Sequence, residues 1–176
     1  MATYTSNLVS GVGDPNAYPS SGVLAGKVRA AMTNILPGSV LADNDLIKIA
    51  RLPSTARILS IKLWNDDFDT DSSPTAAFNL GLYPVDASSH ADAHDEDCFV
   101  TAATTLQAAA ANTELLFEAG STHALADIQQ ELWQVSGKTA DDNKQLELVM
   151  TMSAPATANT GAATSSMTFV VLYTVE

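Results

Sequence analysis

Apolar residues recur at every second position through most of the chain, the period of a strand with one face buried. In KVRAAM, Val28, Ala30 and Met32 share a face. DLIKIARL ends at Pro53, and ARILSIKLW sets Leu59, Ile61 and Leu63 on one side, so residues 45–64 read as two strands folded about a Pro-Ser corner. Further on, AAFNLGLY alternates Phe78, Leu80 and Leu82 against Asn79, Gly81 and Tyr83. QLELVMTM sets Leu146, Leu148, Met150 and Met152 against Gln145, Glu147 and Thr151, and the closing SMTFVVLYTV aligns Met167, Phe169, Val171, Tyr173 and Val175. Such alternation predicts half-buried antiparallel strands.

Two segments follow a different period. In DEDCFVTAATTLQAAAAN, Phe99, Ala102, Ala103, Leu106 and Ala110 fall at helical spacing, with acidic residues ahead and Asn112 at the end. In DIQQELWQVSG, Asp127 suits a helix cap, Gln130 lies three residues on, and Gly137 suits a C-terminal turn. Both are predicted as short helices. Residues 1–22 are rich in Ser, Gly, Pro and Asn and read as an extended arm, with Tyr4, Leu8 and Tyr18 as its bulky exceptions. The expectation is therefore an all-β protein. It combines an arm over 1–22 with an antiparallel β-sandwich over 23–176, jelly-roll-like and carrying two short inserted helices.

Charge narrows the partners. Eight Lys and Arg face twenty Asp and Glu, a formal charge of −12 across 176 residues. That surface repels phosphate backbones and anionic lipid heads, so neither nucleic acid nor membrane is an expected partner. Cys98 is the only cysteine, which rules out an intrachain disulfide and a thiolate zinc cluster. The start of the chain lacks a charged region followed by an apolar run, and no segment has the ~18 apolar residues of a membrane span. Folding in a cytoplasm is expected.

The candidate chemistry is sparse. Asp67, Asp69 and Asp71 stand at alternate positions, as carboxylates do at the start of a calcium loop. An EF-hand then needs Gly where Ser72 stands and Glu where Phe78 stands, so the alternatives are a calcium loop of another kind or a solvated turn. His90 and His94, four apart, would share a helix face and could take zinc, but Pro84 and the Ser88-Ser89 pair favour a loop. Cys98 with His94 or His123 is the remaining nucleophile arrangement, in a segment expected to bury the thiol. No G-x-S-x-G elbow is present, since PGSVL around Ser39 lacks the second glycine. Gly11 and Gly13 lack the Lys and third Gly of a phosphate loop. Trp64 and Trp133 read as packing residues before they read as a sugar platform. Neither a catalytic site nor a cofactor is expected.

The run DNDLIKIARLPSTARILSIKLWNDDFDTDSSPTAAFNLGLYPVD resembles a group of small virion proteins of tailed bacteriophages. So do the MAT…S opening, ELWQVSG, and the ending LELVMTMSAPATANTGAATSSMTFVVLYTVE, with SAPATANTGAA as a flexible hairpin. The resemblance implies a non-enzymatic structural protein, most like a head decoration (cement) protein. Such a protein would be made in the host cytoplasm and would bind the outer capsid surface at junctions of the major capsid protein. It also implies a homo-oligomer, with a trimer expected. The arm would supply reach, at most ~3.3–3.6 Å per residue, with Tyr4, Leu8 and Tyr18 anchoring it on a neighbour. The alternatives are a receptor- or glycan-binding module of a head fibre, neck or tail, and a small β-sandwich hydrolase.

Overall fold

The computed structural model describes residues 27–85, 87–117 and 122–175, with Leu125 and Ala126 as backbone only. The arm expected over 1–22, with Tyr4, Leu8 and Tyr18, lies outside the described residues. Eight strands follow in order: β1 (Lys27–Ile35), β2 (Leu46–Pro53), β3 (Arg57–Asn65), β4 (Ala77–Pro84), β5 (Asp95–Ala103), β6 (Ala110–Glu114), β7 (Gln145–Ala154) and β8 (Met167–Val175). They build two four-stranded antiparallel sheets, ordered β1-β8-β3-β6 and β2-β7-β4-β5. Pairing is nested, since β1 meets β8, β2 meets β7, β3 meets β6 and β4 meets β5. The Pro-Ser corner is where the chain leaves one sheet for the other, because β2 and β3 lie in different sheets.

The core between the sheets holds Leu52, Ile61, Leu63, Phe68, Phe78, Leu80, Phe99, Leu106, Leu148 and Phe169, all buried. The period-two pattern placed β4, β7 and β8 correctly on their inner faces. In β3 the buried apolar set is Ile58, Ile61 and Leu63, because a register irregularity between Ile58 and Ser60 shifts the phase and leaves Leu59 half-buried. The outer faces of β4 and β7 are buried as well. Tyr83, Ala87 and Val149 form a second cluster there, joined by Leu46 and Ala93. Alternation alone does not reveal such a cover, because it comes from the β4–β5 loop, with Ala87 and Ala93, and from Leu46 at the start of β2.

The helix expected across residues 95–112 is not formed. Its first half is strand β5, a single 3-10 turn spans Thr105–Gln107, and its last part is β6. Ala102 and Asn112 have φ of 50° and 60°, backbone that no α-helix contains. Asp95, Val100 and Ala103 pair with Leu82, Leu80 and Phe78 of β4, and the Ala102 N–H donates to Asn79 Oδ1 at 2.9 Å. Tertiary pairing thus overrides the helical spacing of the alanines. The second expected helix is smaller and later than its sequence suggests. A 3-10 turn, Leu125–Gln129, precedes one α-helical turn, α1 (Leu132–Val135). Asp127 accepts from the Ala124 N–H at 3.1 Å within that 3-10 turn, so it does not cap α1. Gln134 accepts from the Glu131 N–H at 3.0 Å instead, and Gly137, at φ 74°, ends the turn as expected.

Candidate functional site: an exposed sheet face and a latched aspartate loop

β1 is the edge strand of its sheet, and its register with β8 decides which residues face out. Ala31, Thr33 and Ile35 stand opposite Val171, Phe169 and Met167, the buried row of β8. Val28, Ala30 and Met32 stand opposite Thr174, Leu172 and Val170 on the other side. The face of β1 that reads as core from its alternation is therefore the outward one: Val28 is 62% exposed and Met32 72%. Leu36 and Val40, beyond the strand, are exposed as well. On β3, Trp64 stands opposite Thr168 on the same outward face, half-buried. The result is an apolar sheet face with no cover among the described residues, the kind of surface that marks a binding partner. The signal missed in the sequence is FVVLY, in which Val170 and Leu172 make the second face of β8 apolar as well.

The aspartate loop is built for a different purpose. Asp69 is buried at 1% exposure, and its carboxylate accepts four backbone N–H bonds. Oδ2 takes those of Thr75 and Ala76 at 2.7 and 2.9 Å; Oδ1 takes those of Thr157 and Ala158 at 2.9 and 3.1 Å. Burial by itself would raise the Asp69 pKa, but the four donors outweigh it and hold the carboxyl below its usual range. Asp66 adds a strap to Ser166, and the Thr70 N–H donates to Ala158 O at 2.8 Å. The aspartate turn and the SAPATANTGAA segment are thus lashed together, where a calcium loop or a solvated turn and a flexible hairpin were the expectations. Asp67 and Asp71 accept from the Asp69 and Ser73 N–H groups within their own turns. A cation at this loop would draw on Asp67 and Asp71, because both Asp69 oxygens point at amides. Among the described residues no group of three or more His, Cys, Asp or Glu is arranged to hold a metal ion.

The other candidates separate in space. His90 sits in a 3-10 turn, His90–Asp92, with Nδ1 3.9 Å from Glu96 Oε2. The His94 N–H donates to Leu82 O, and burial together with nearby Lys138 lowers its imidazole pKa. Cys98 lies in β5, where burial and then the charges of Asp95 and Asp97 push its thiol well up, away from the thiolate a nucleophile needs. It shares a cavity of about 270 Å³ with His123, Asp95, Asp97 and Asp127. Trp133 belongs to the corner between β2 and β3, where its Nε1–H donates to Glu131 Oε2 at 2.6 Å and Arg57 pairs with the same carboxylate. The two tryptophans therefore serve separate parts of the fold. Gly11 and Gly13 fall outside the described residues. No described helix is long and apolar enough to cross a membrane.

This geometry defines a β-sandwich whose evident functional feature is a surface. No protein-family model matches the chain, and no curated protein matches it. Solved structures do. A chain in the capsid of Ralstonia phage GP4 superposes with a TM-score of 0.59 at 21% identity, covering 86% of each chain. A chain of the cyanophage Pam1 capsid asymmetric unit gives the same TM-score and identity over 100% of both chains. At that identity the likeness establishes a shared fold.

Proposed function

We propose that this chain is a structural, non-enzymatic component of a tailed-phage virion, serving as a head decoration protein on the outer capsid surface. The observation that carries the reading is the fold likeness to chains of two phage capsids along nearly the whole length. The nested strand pairing supports the jelly-roll reading of the sandwich. The −12 charge suits a position away from packaged DNA. In this reading the Val28–Met32 face of β1 and β8 contacts the major capsid protein, and residues 1–22 reach a neighbouring subunit through Tyr4, Leu8 and Tyr18. Many copies on one shell make individually weak contacts effective.

The test is the copy number of this chain relative to the major capsid protein in purified particles. A ratio near one, or a simple fraction of it, is the expected result. A handful of copies per particle would move the chain to the neck, tail or a fibre. Its absence from particles would overturn the virion reading.

A further inference from the structure

We propose that copies of this chain associate side by side, the basic edge strand β1 of one docking into the carboxylate-lined cavity beside β5 of the next. The proposal rests on the reading of the chain as a repeated shell component, and it names the surfaces that join the repeats. β1 and β2 contact each other and close one lateral margin of the sandwich, so β6 and β5, the last strands of the two orders, close the opposite margin. The charges on these margins differ in sign.

At the first margin, Lys27 and Arg29 are exposed at the start of β1 and form no ion pair among the described residues. Most other cations are committed: Lys48 and Arg51 to Glu147, Arg57 to Glu131, and Lys138 and Lys144 to Asp142. Only Lys62, opposite Val170 on the outward face of the sheet, shares the uncommitted state among the described residues. Among the described residues β1 pairs with β8 alone, so no described strand occupies its other backbone edge, and Lys27 and Arg29 stand on the face opposite to that of Val28 and Met32.

The opposite margin carries Asp95, Glu96 and Asp97 in succession on β5. Asp95, Asp97 and Asp127 line the cavity of about 270 Å³, and no Lys or Arg does. Burial raises the Asp95 pKa, and the negative charges of Asp97 and Glu96 raise it further, the mark of carboxylates crowded without a cation. A guanidinium and an ammonium presented on an open strand supply what this cavity lacks. A second copy is the occupant because one chain carries both halves on opposite margins. The contact is therefore heterologous, and it repeats from copy to copy around a ring or along a row. Complementary charge of this kind fixes partner choice and register.

The experiment uses the purified full-length chain in sedimentation velocity and light scattering. Runs are made at about 0.1 M and about 1 M salt, between which the Debye length falls from roughly 10 Å to roughly 3 Å. The wild type is expected to form a multimer at the lower salt that is lost at the higher one. Lys27→Glu/Arg29→Glu is expected to be monomeric at both, with an unchanged circular dichroism spectrum, since neither side chain makes a bond among the described residues. The charge swap Arg29→Glu/Asp97→Lys is expected to restore the multimer. A wild type monomeric at both salts, or a K27E/R29E chain that assembles like the wild type, would overturn the proposal. The two readings fail separately. A monomeric chain abundant in particles sinks this contact alone, and a self-associating chain absent from particles sinks the virion role alone.

Discussion

Removing the Asp69 carboxylate should unfasten the loop between β3 and β4 from the loop between β7 and β8. Asp69→Ala leaves four N–H groups without their carboxylate acceptor, that of buried Ala76 and those of the more exposed Thr75, Thr157 and Ala158. At a minimum of about 1 kcal/mol for each stranded donor, the loss is about 4 kcal/mol. For a chain of this length that lowers Tm by roughly 8–16 °C. Asp69→Asn keeps the volume and one oxygen, so it can serve one pair of donors while its NH2 group confronts the other pair; about 2 kcal/mol or more should go. The assay is urea unfolding followed by circular dichroism across a pH series. Because the folded-state pKa of Asp69 lies below its ordinary value of 3.8, the carboxylate's contribution is complete above 3.8 and fades as pH falls through the lower folded value. The gap between wild type and Asp69→Asn should therefore stay constant from neutral pH down to about 5 and close below 3.8. An Asp69→Asn chain within ~0.5 kcal/mol of wild type at pH 7 would refute the latch.

Glu147 offers a second pH-dependent pair of measurements. Burial would raise its pKa, but Lys48 and Arg51, at 2.8 and 2.7 Å, outweigh that and lower it from 4.5. Glu147→Gln should cost about 1–2 kcal/mol at pH 7, a modest figure because both cations stay half in water, and the cost should shrink as pH drops below 4.5. Gly81→Ala should be worse than either, because a Cβ there would lie 2.1 Å from Asp95 O and 2.3 Å from Glu96 C, both backbone atoms. A loss above ~3 kcal/mol or failure to fold is expected, and a Tm within a few degrees of wild type would contradict the close approach of β5. On the open face, Val28→Ser/Met32→Ser should leave urea stability within ~0.5 kcal/mol while particle binding drops. Undiminished binding would move the capsid contact elsewhere.

Alternation in the sequence determined the strands that carry the core, because burying one face of a sheet imposes a period of two wherever the chain runs extended. It located β2, the corner at Pro53, β3, β4, β7 and β8, and it identified the inner rows of β4, β7 and β8. Charge and the absence of catalytic spacing turned attention from chemistry to surfaces. What alternation cannot carry is which of two apolar faces meets the core. In β1 the choice fell to the register with β8, which sends Ala31 and Ile35 inward and leaves Val28 and Met32 outside. In residues 95–112 alanine spacing suggested a helix, and only the unpaired edge of β4 made β5 the better state. Asp69 shows the same limit at a single residue. Three aspartates at alternate positions look alike in sequence, yet one is buried because amides from a loop 88 and 89 residues away converge on it. Local pattern fixes what a segment can be; contacts between distant segments decide which faces and which carboxylates remain available for a partner.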